Sequence, residues 1–162
     1  MAAYLLDTTT FSLMVKRQSG VRTRVASLPA ADRMAICSVV RGEVLYGLDR
    51  MPHGKRRQDL EAKVTELFAA LPCEPIPEAA ADEYALIKRE TERKGARLDE
   101  NDLWIAATAL SLGAALVTTD SDFSRTSAAC AWKYFFRRGL RVWMANGGAH
   151  AGSGSPNQAA GA

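Results

Sequence analysis

Four acidic residues stand at positions where the neighbouring sequence offers a charge little support. Asp7 ends the apolar run "AAYLL", and Glu43 lies inside the apolar part of "SVVRGEVLYGL". Asp102 enters "ENDLWIAATAL" one turn before Ile105, and Asp120 follows the apolar run "AALVTT". Each alone has an ordinary explanation. Asp7 can cap a following helix, and Glu43 can reach solvent from a helix edge. Asp102 suits the positive end of a helix dipole, and Asp120 can open a turn beside Asp122. Glu43 is the sharpest of the four, because Val39, Val40, Val44 and Tyr46 leave it little water. Burying a carboxylate without a partner is costly. No lysine lies within a helical turn of it, and Arg41 belongs to a different face. As a set, four carboxylates read as a site for a hard cation, since oxygen donors select Mg²⁺ or Mn²⁺.

Other chemistry is poorly supplied. The cysteines, Cys37, Cys73 and Cys130, are scattered, and the two histidines, His53 and His150, are far apart. That spacing gives neither a zinc set nor a disulfide framework. There is no glycine-rich phosphate loop. Cys37 and Cys73 fall in apolar, strand-like segments and are expected to be buried thiols.

The elements that must position the acids alternate between short apolar runs and amphipathic stretches. "AAYLL" reads as a strand, followed by helices near 11–17 and 21–28, the second ended by Pro29. The start of "MAICSVV" reads as a second strand. Ser38 is then expected to cap a helix with Val40, Val44 and Leu48 on its apolar stripe, widened by Val39, Leu45 and Tyr46. "MPHG" breaks it, and an amphipathic helix over 55–71 presents Leu60, Val64, Leu67 and Phe68. "CEPIP", bracketed by prolines, suits a strand at a sheet edge. A charged helix over 78–94 closes at Gly95. Asp99 is expected to cap the helix that carries Asp102 and runs to Leu112; "AALVTT" and "LRVW" are the remaining strands.

This alternation specifies an α/β fold with a mostly parallel sheet and helices on both faces. Ligands of such sheets bind beyond the carboxyl ends of the strands, where Asp7 and Asp120 fall. The helix bearing Asp102 is expected to enter from the opposite edge, so that a loop must cross back to bring this acid to the others.

At 162 residues the chain suits one domain, over 1–144, with a Gly-, Ala- and Ser-rich tail over 145–162 expected to be disordered. No apolar run reaches the ~20 residues of a membrane helix. The start "MAAYLLDTTT" lacks a basic n-region. A cytoplasmic protein without membrane contact is expected. The net charge of +3 is accompanied by basic clusters at 53–58, 88–97 and 135–141. They would suit a phosphate backbone, although a solvated helix face is the ordinary reading of each.

The segments "YLLDT", "ICSVVRGEVLYGL", "RLDENDLWIAATALSLGAALVTTDSDF" and "GLRVW" together resemble a PIN-domain ribonuclease of the VapC toxin type. The resemblance runs from residue 1 to 123 and resumes at the last strand. It implies a PIN-like three-layer α/β/α fold in which Asp7, Glu43, Asp102 and Asp120 gather in one cleft and hold one or two Mg²⁺ or Mn²⁺ ions. It further implies an endoribonuclease toxin that cleaves RNA, a tRNA or an rRNA loop, with a metal-activated water. The implied partners are a small antitoxin that blocks the cleft and a second copy of the chain in a homodimer. Two features depart from the family. Thr9 stands where an Asn is usual, with a hydroxyl that can still orient a carboxylate. The segment 124–138 is longer than usual, and carries Arg125, Lys133, Arg137 and Arg138, either as an RNA-binding edge or as a surface helix. The alternative is a catalytically degenerate domain that binds RNA or an antitoxin without cutting. A phosphatase-like module would need a second Asp where Thr9 stands, and a receiver would need an acidic pair and a late strand-end lysine.

Overall fold

The computed structural model describes residues 1–93, 95, 98–119 and 141–144. Among these residues, five strands form one sheet: β1 (Ala3–Leu6), β2 (Arg33–Cys37), β3 (Cys73–Glu74), β4 (Ala115–Thr118) and β5 (Arg141–Met144). Their spatial order is β3-β2-β1-β4-β5, and every pairing is parallel. A parallel sheet is covered on both faces, which is why its central strands are apolar at successive positions. Leu5, Leu6, Ile36, Leu116 and Val117 are all buried. The chain builds outward from β1 through β2 to β3, then crosses to the other side of β1 to lay down β4. That reversal makes the carboxyl ends of β1 and β4 the switch point at which open α/β sheets form their ligand crevice.

Among the described residues, six helices flank the sheet in the three-layer α/β/α arrangement: α1 (Thr8–Val15), α2 (Ser19–Ala26), α3 (Ser38–Asp49), α4 (Lys55–Ala70), α5 (Ala79–Arg93) and α6 (Glu100–Ser111). Phe11 of α1 is fully buried and stacks on Phe68 of α4 with ring centroids 5.3 Å apart. Leu103, Ile105, Ala106, Ala107 and Ala109 bury α6 against the same core. No described helix is long and apolar enough to cross a membrane.

Several local expectations change. Helix α1 starts at Thr8 rather than 11, because Asp7 caps it directly after β1. Strand β2 runs into α3 without a loop, so Cys37 occupies the cap position and makes no side-chain cap bond. Ser38 is instead the first helical residue, and its hydroxyl donates to the Glu74 carbonyl at 3.3 Å, tying α3 to the edge strand β3. The apolar stripe of α3 is narrower than its sequence suggests, with Leu45 43% and Tyr46 65% exposed. Cys37 is buried as expected, whereas Cys73 is exposed because it lies on the edge strand.

The crossing-back loop is not needed. A short turn through Gly113, at φ 61°, and Ala114 joins α6 to β4, so α6 runs back along the sheet. Its N-terminus therefore lies at the edge where β4 ends. The last strand is one residue later than expected, pairing Thr118 with Met144. Segment 124–138 and the 145–162 tail lie outside the described residues.

Candidate active site

The site is built at the carboxyl edge of β1 and β4. Leu6 pairs with Val117, and the Asp7 amide extends that ladder by donating to the Val117 carbonyl at 3.0 Å. The strand thus fixes the Asp7 backbone. Its side chain is fixed from the other direction: Oδ1 accepts from the Thr10 amide at 2.6 Å, capping α1. The Thr10 hydroxyl in turn donates to the Val117 carbonyl at 3.3 Å. Asp7 is 6% exposed. Its charge is placed at the positive end of the α1 dipole, so its cap role and a ligand role are compatible.

Glu43 is half-buried in the second turn of α3. Its Oε2 accepts a hydrogen bond from the Thr8 hydroxyl. Its Oε1 accepts from the Asn101 side-chain amide at 2.8 Å. These bonds answer the question its apolar surroundings raise. The carboxylate is satisfied by two neutral donors rather than by a cation. Each donor is the chain neighbour of another acid: Thr8 follows Asp7, and Asn101 precedes Asp102. Arg41 does point elsewhere, with its guanidinium 4.4 Å from the Phe68 ring centroid.

Asp102 is exposed in the first turn of α6, after the Asp99 cap accepts from the Asn101 amide at 2.9 Å. Glu100, in the same turn, is drawn aside by Lys88 and the Tyr84 hydroxyl. The Lys88 hydrogen bond, then that of Tyr84, lowers the Glu100 carboxyl below its usual range. Lys88 is held correspondingly higher, chiefly by its bond to Glu100. Burial is the main cause that raises the Cys37 thiol, so this cysteine is a structural group rather than a nucleophile.

The structure thus brings Asp7, Glu43 and Asp102 to one sheet edge, linked through Thr8 and Asn101. Asp120 lies outside the described residues, two positions after the end of β4 in the sequence. Among the described residues, no three His, Cys, Asp or Glu side chains are close enough together to hold a metal ion. The donors at this edge are nonetheless all oxygen, which is the chemistry a hard cation takes.

Sequence reasoning missed Thr8 and Asn101. The signal was available in "DT" and "ND", a polar residue beside each of two acids. It assigned a carboxylate-orienting hydroxyl to Thr9, which is exposed; Thr8 has that role. In the described parts of the basic clusters, several cations are held in ion pairs. Arg57 pairs with Glu61 at 2.6 Å and Asp49 at 3.0 Å, Arg93 with Glu90 at 3.0 Å, and Lys88 with Glu100.

The PIN domain family model matches residues 4–129. The chain is similar to ribonuclease VapC5 of Mycobacterium tuberculosis, with 31% identity over 128 residues, covering 79% of this chain and 90% of that one. It is also similar to ribonuclease VapC2 of Rickettsia felis, 27% identical over 124 residues, with 75% and 90% covered. Among solved structures, DNA-bound VapBC from Salmonella typhimurium superposes with a TM-score of 0.68 at 25% identity, over 90% of this chain and 99% of that one. VapBC2 of Rickettsia felis, bound to a DNA fragment from its promoter, gives a TM-score of 0.71 at 23% identity, over 88% and 98%, a likeness of fold. The chain belongs to the PIN domain family, and within it to the VapC type.

Proposed function

We propose that this chain is the endoribonuclease toxin of a toxin–antitoxin pair. In this reading, it cleaves RNA at a divalent-metal site formed by Asp7, Glu43, Asp102 and Asp120. One observation carries it: the Glu43 carboxylate is hydrogen-bonded by the neighbour of Asp7 and by the neighbour of Asp102. Three acids distant in sequence therefore share the edge where an open parallel sheet forms its crevice. The relatives named ribonucleases support the activity. The toxin–antitoxin system that includes VapBC-5, whose structure is similar to this chain, supports the partner.

Mg²⁺ or Mn²⁺, when bound, supplies Lewis acidity that favours deprotonation of water at neutral pH and offsets charge on a phosphodiester. The chain's residues prepare for that chemistry. Strand and cap give Asp7 one orientation, which preorganises it. Thr8 and Asn101 orient Glu43 without contributing positive charge, so the site keeps its attraction for a cation. Asp102, exposed at the start of α6, is accessible to a ligand arriving from solvent. In this reading Asp120, two positions after β4 in the sequence, is the fourth acid of the set. The substrate is an unpaired RNA segment, such as a loop of tRNA or rRNA, since protein readers of RNA sequence address single-stranded loops. A small antitoxin covers the crevice. Tyr46, one turn beyond Glu43 and 65% exposed, gives that partner an apolar side chain to bury. The active toxin is a homodimer.

The test is cleavage of loop-containing RNA with Mn²⁺, compared with the same reaction in excess chelator. Cleavage that needs the metal and is lost in Asp7→Asn is the expected result. RNA bound but left intact by the wild-type chain in Mn²⁺ would make this a non-cleaving binding domain instead.

A further inference from the structure

The hydrogen bonds to Glu43 imply a role for residues that carry no charge. We propose that Thr8 and Asn101 are positioning residues that clamp the Glu43 carboxylate and thereby set the metal affinity of the site. This rests on the metal-site reading above and assigns a division of labour within it. Thr8 donates from the first turn of α1 to Oε2, and Asn101 donates from the first turn of α6 to Oε1 at 2.8 Å. One donor on each oxygen fixes both the position of the carboxylate and its rotation about the last side-chain bond, a torsion that is otherwise broad.

The clamp also joins elements. Glu43 belongs to α3, and its donors come from two other helices, 35 and 58 residues away in sequence. Asp7 precedes Thr8 and Asp102 follows Asn101, so the bonds that hold Glu43 also fix its relation to the other two acids. A neutral hydroxyl and a neutral amide suit this task. A lysine or arginine would orient the carboxylate equally well, but its charge would compete with the cation. Both donors are half-buried, which shields the bonds from water without closing the site. Outer groups that orient metal-binding carboxylates are typically worth about ten- to a hundredfold in metal affinity.

The experiment is Mn²⁺ titration by calorimetry of the full chain, for wild type, Thr8→Val, Thr8→Ser, Asn101→Ala and Glu43→Ala. Each of the first three changes is also combined with Glu43→Ala, and folding is checked by circular dichroism. Thr8→Val and Asn101→Ala should each weaken Mn²⁺ binding by about tenfold, while Thr8→Ser, which keeps the hydroxyl, restores affinity close to wild type. In the Glu43→Ala background, none of these changes should have a further effect, since the group they position is gone. A structural role would persist in that background, and its persistence overturns the clamp. Wild-type affinity in both Thr8→Val and Asn101→Ala overturns it too, leaving the metal site intact. A wild-type chain that fails to bind Mn²⁺ overturns the metal-site reading itself, and the clamp with it.

Discussion

At the scale of the residue, Asp7 shows why a cap and a ligand need not be competing explanations. Its carboxylate takes the Thr10 amide at 2.6 Å and ends the strand that brings it to the crevice. The two roles can be separated by substitution. Asn is as good a helix cap as Asp, so Asp7→Asn should retain stability in denaturant while losing Mn²⁺ binding and RNA cleavage. Asp7→Ala should lose both, with a stability penalty of about 1 kcal/mol from the missing cap. Equal destabilisation by Asn and Ala would show that the Asp7 charge, and not the cap bond, supports the fold. The sequence identified Asp7 and Glu43 because an acid beside apolar residues is visible locally. It did not identify the partners of Glu43, because those donors are remote in the chain and only the fold brings them near.

At the scale of the element, α5 and α6 form the antiparallel pair that delivers Asn101 and Asp102. Tyr84 and Trp104 stack across it with centroids 4.2 Å apart and an interplanar angle of 13°. Lys88 and Glu100 bridge it beside the stack. The Glu100 carboxyl is lowered by this contact, so its contribution is present above the unfolded value of 4.5 and fades as pH falls through the lower folded value. Lys88 is raised, so its contribution is present below 10.5 and fades as pH rises through the folded value. Between these limits both groups are charged and the bridge is complete. Solvent screens the pair, so the effect is small. Lys88→Met should reduce the acid-side fall in thermal stability, and an unchanged acid limb would mean that the bridge contributes nothing. The caps of these helices were only partly legible. Asp99 caps α6 as its sequence predicts, while Ser38 loses the cap position because β2 runs directly into α3. The edge from which the helix bearing Asp102 enters was misjudged from a rule about helix direction. A helix that returns to start the next parallel strand begins at the carboxyl edge, and the turn at Gly113 makes α6 such a helix.

At the scale of the whole molecule, alternating apolar runs and amphipathic stretches made the parallel α/β class legible. The strand order was not, because the pattern within β1, β2 and β4 is the same buried run and contains no information about neighbours. The order matters, since it places β1 beside β4 and so creates the switch point. There, acids from the end of β1, from α3 and from α6 are drawn to one edge, with Asp120 proposed to join them. Like charges gathered at one place oppose folding, and a cation that binds only the folded chain relieves that opposition. The melting temperature should therefore rise with Mn²⁺ or Mg²⁺. At a free metal concentration of 100 times the dissociation constant, linkage gives about 2.7 kcal/mol of added stability. For a chain of this length, that corresponds to a shift of several degrees. The shift should follow the concentration of Mn²⁺, be reversed by chelator, and be much reduced in Asp102→Asn, where the exposed acid of α6 is neutralised without changing its size. A melting temperature that does not respond to millimolar Mn²⁺ would mean that these carboxylates are held apart in the folded chain and that the edge is not a metal site.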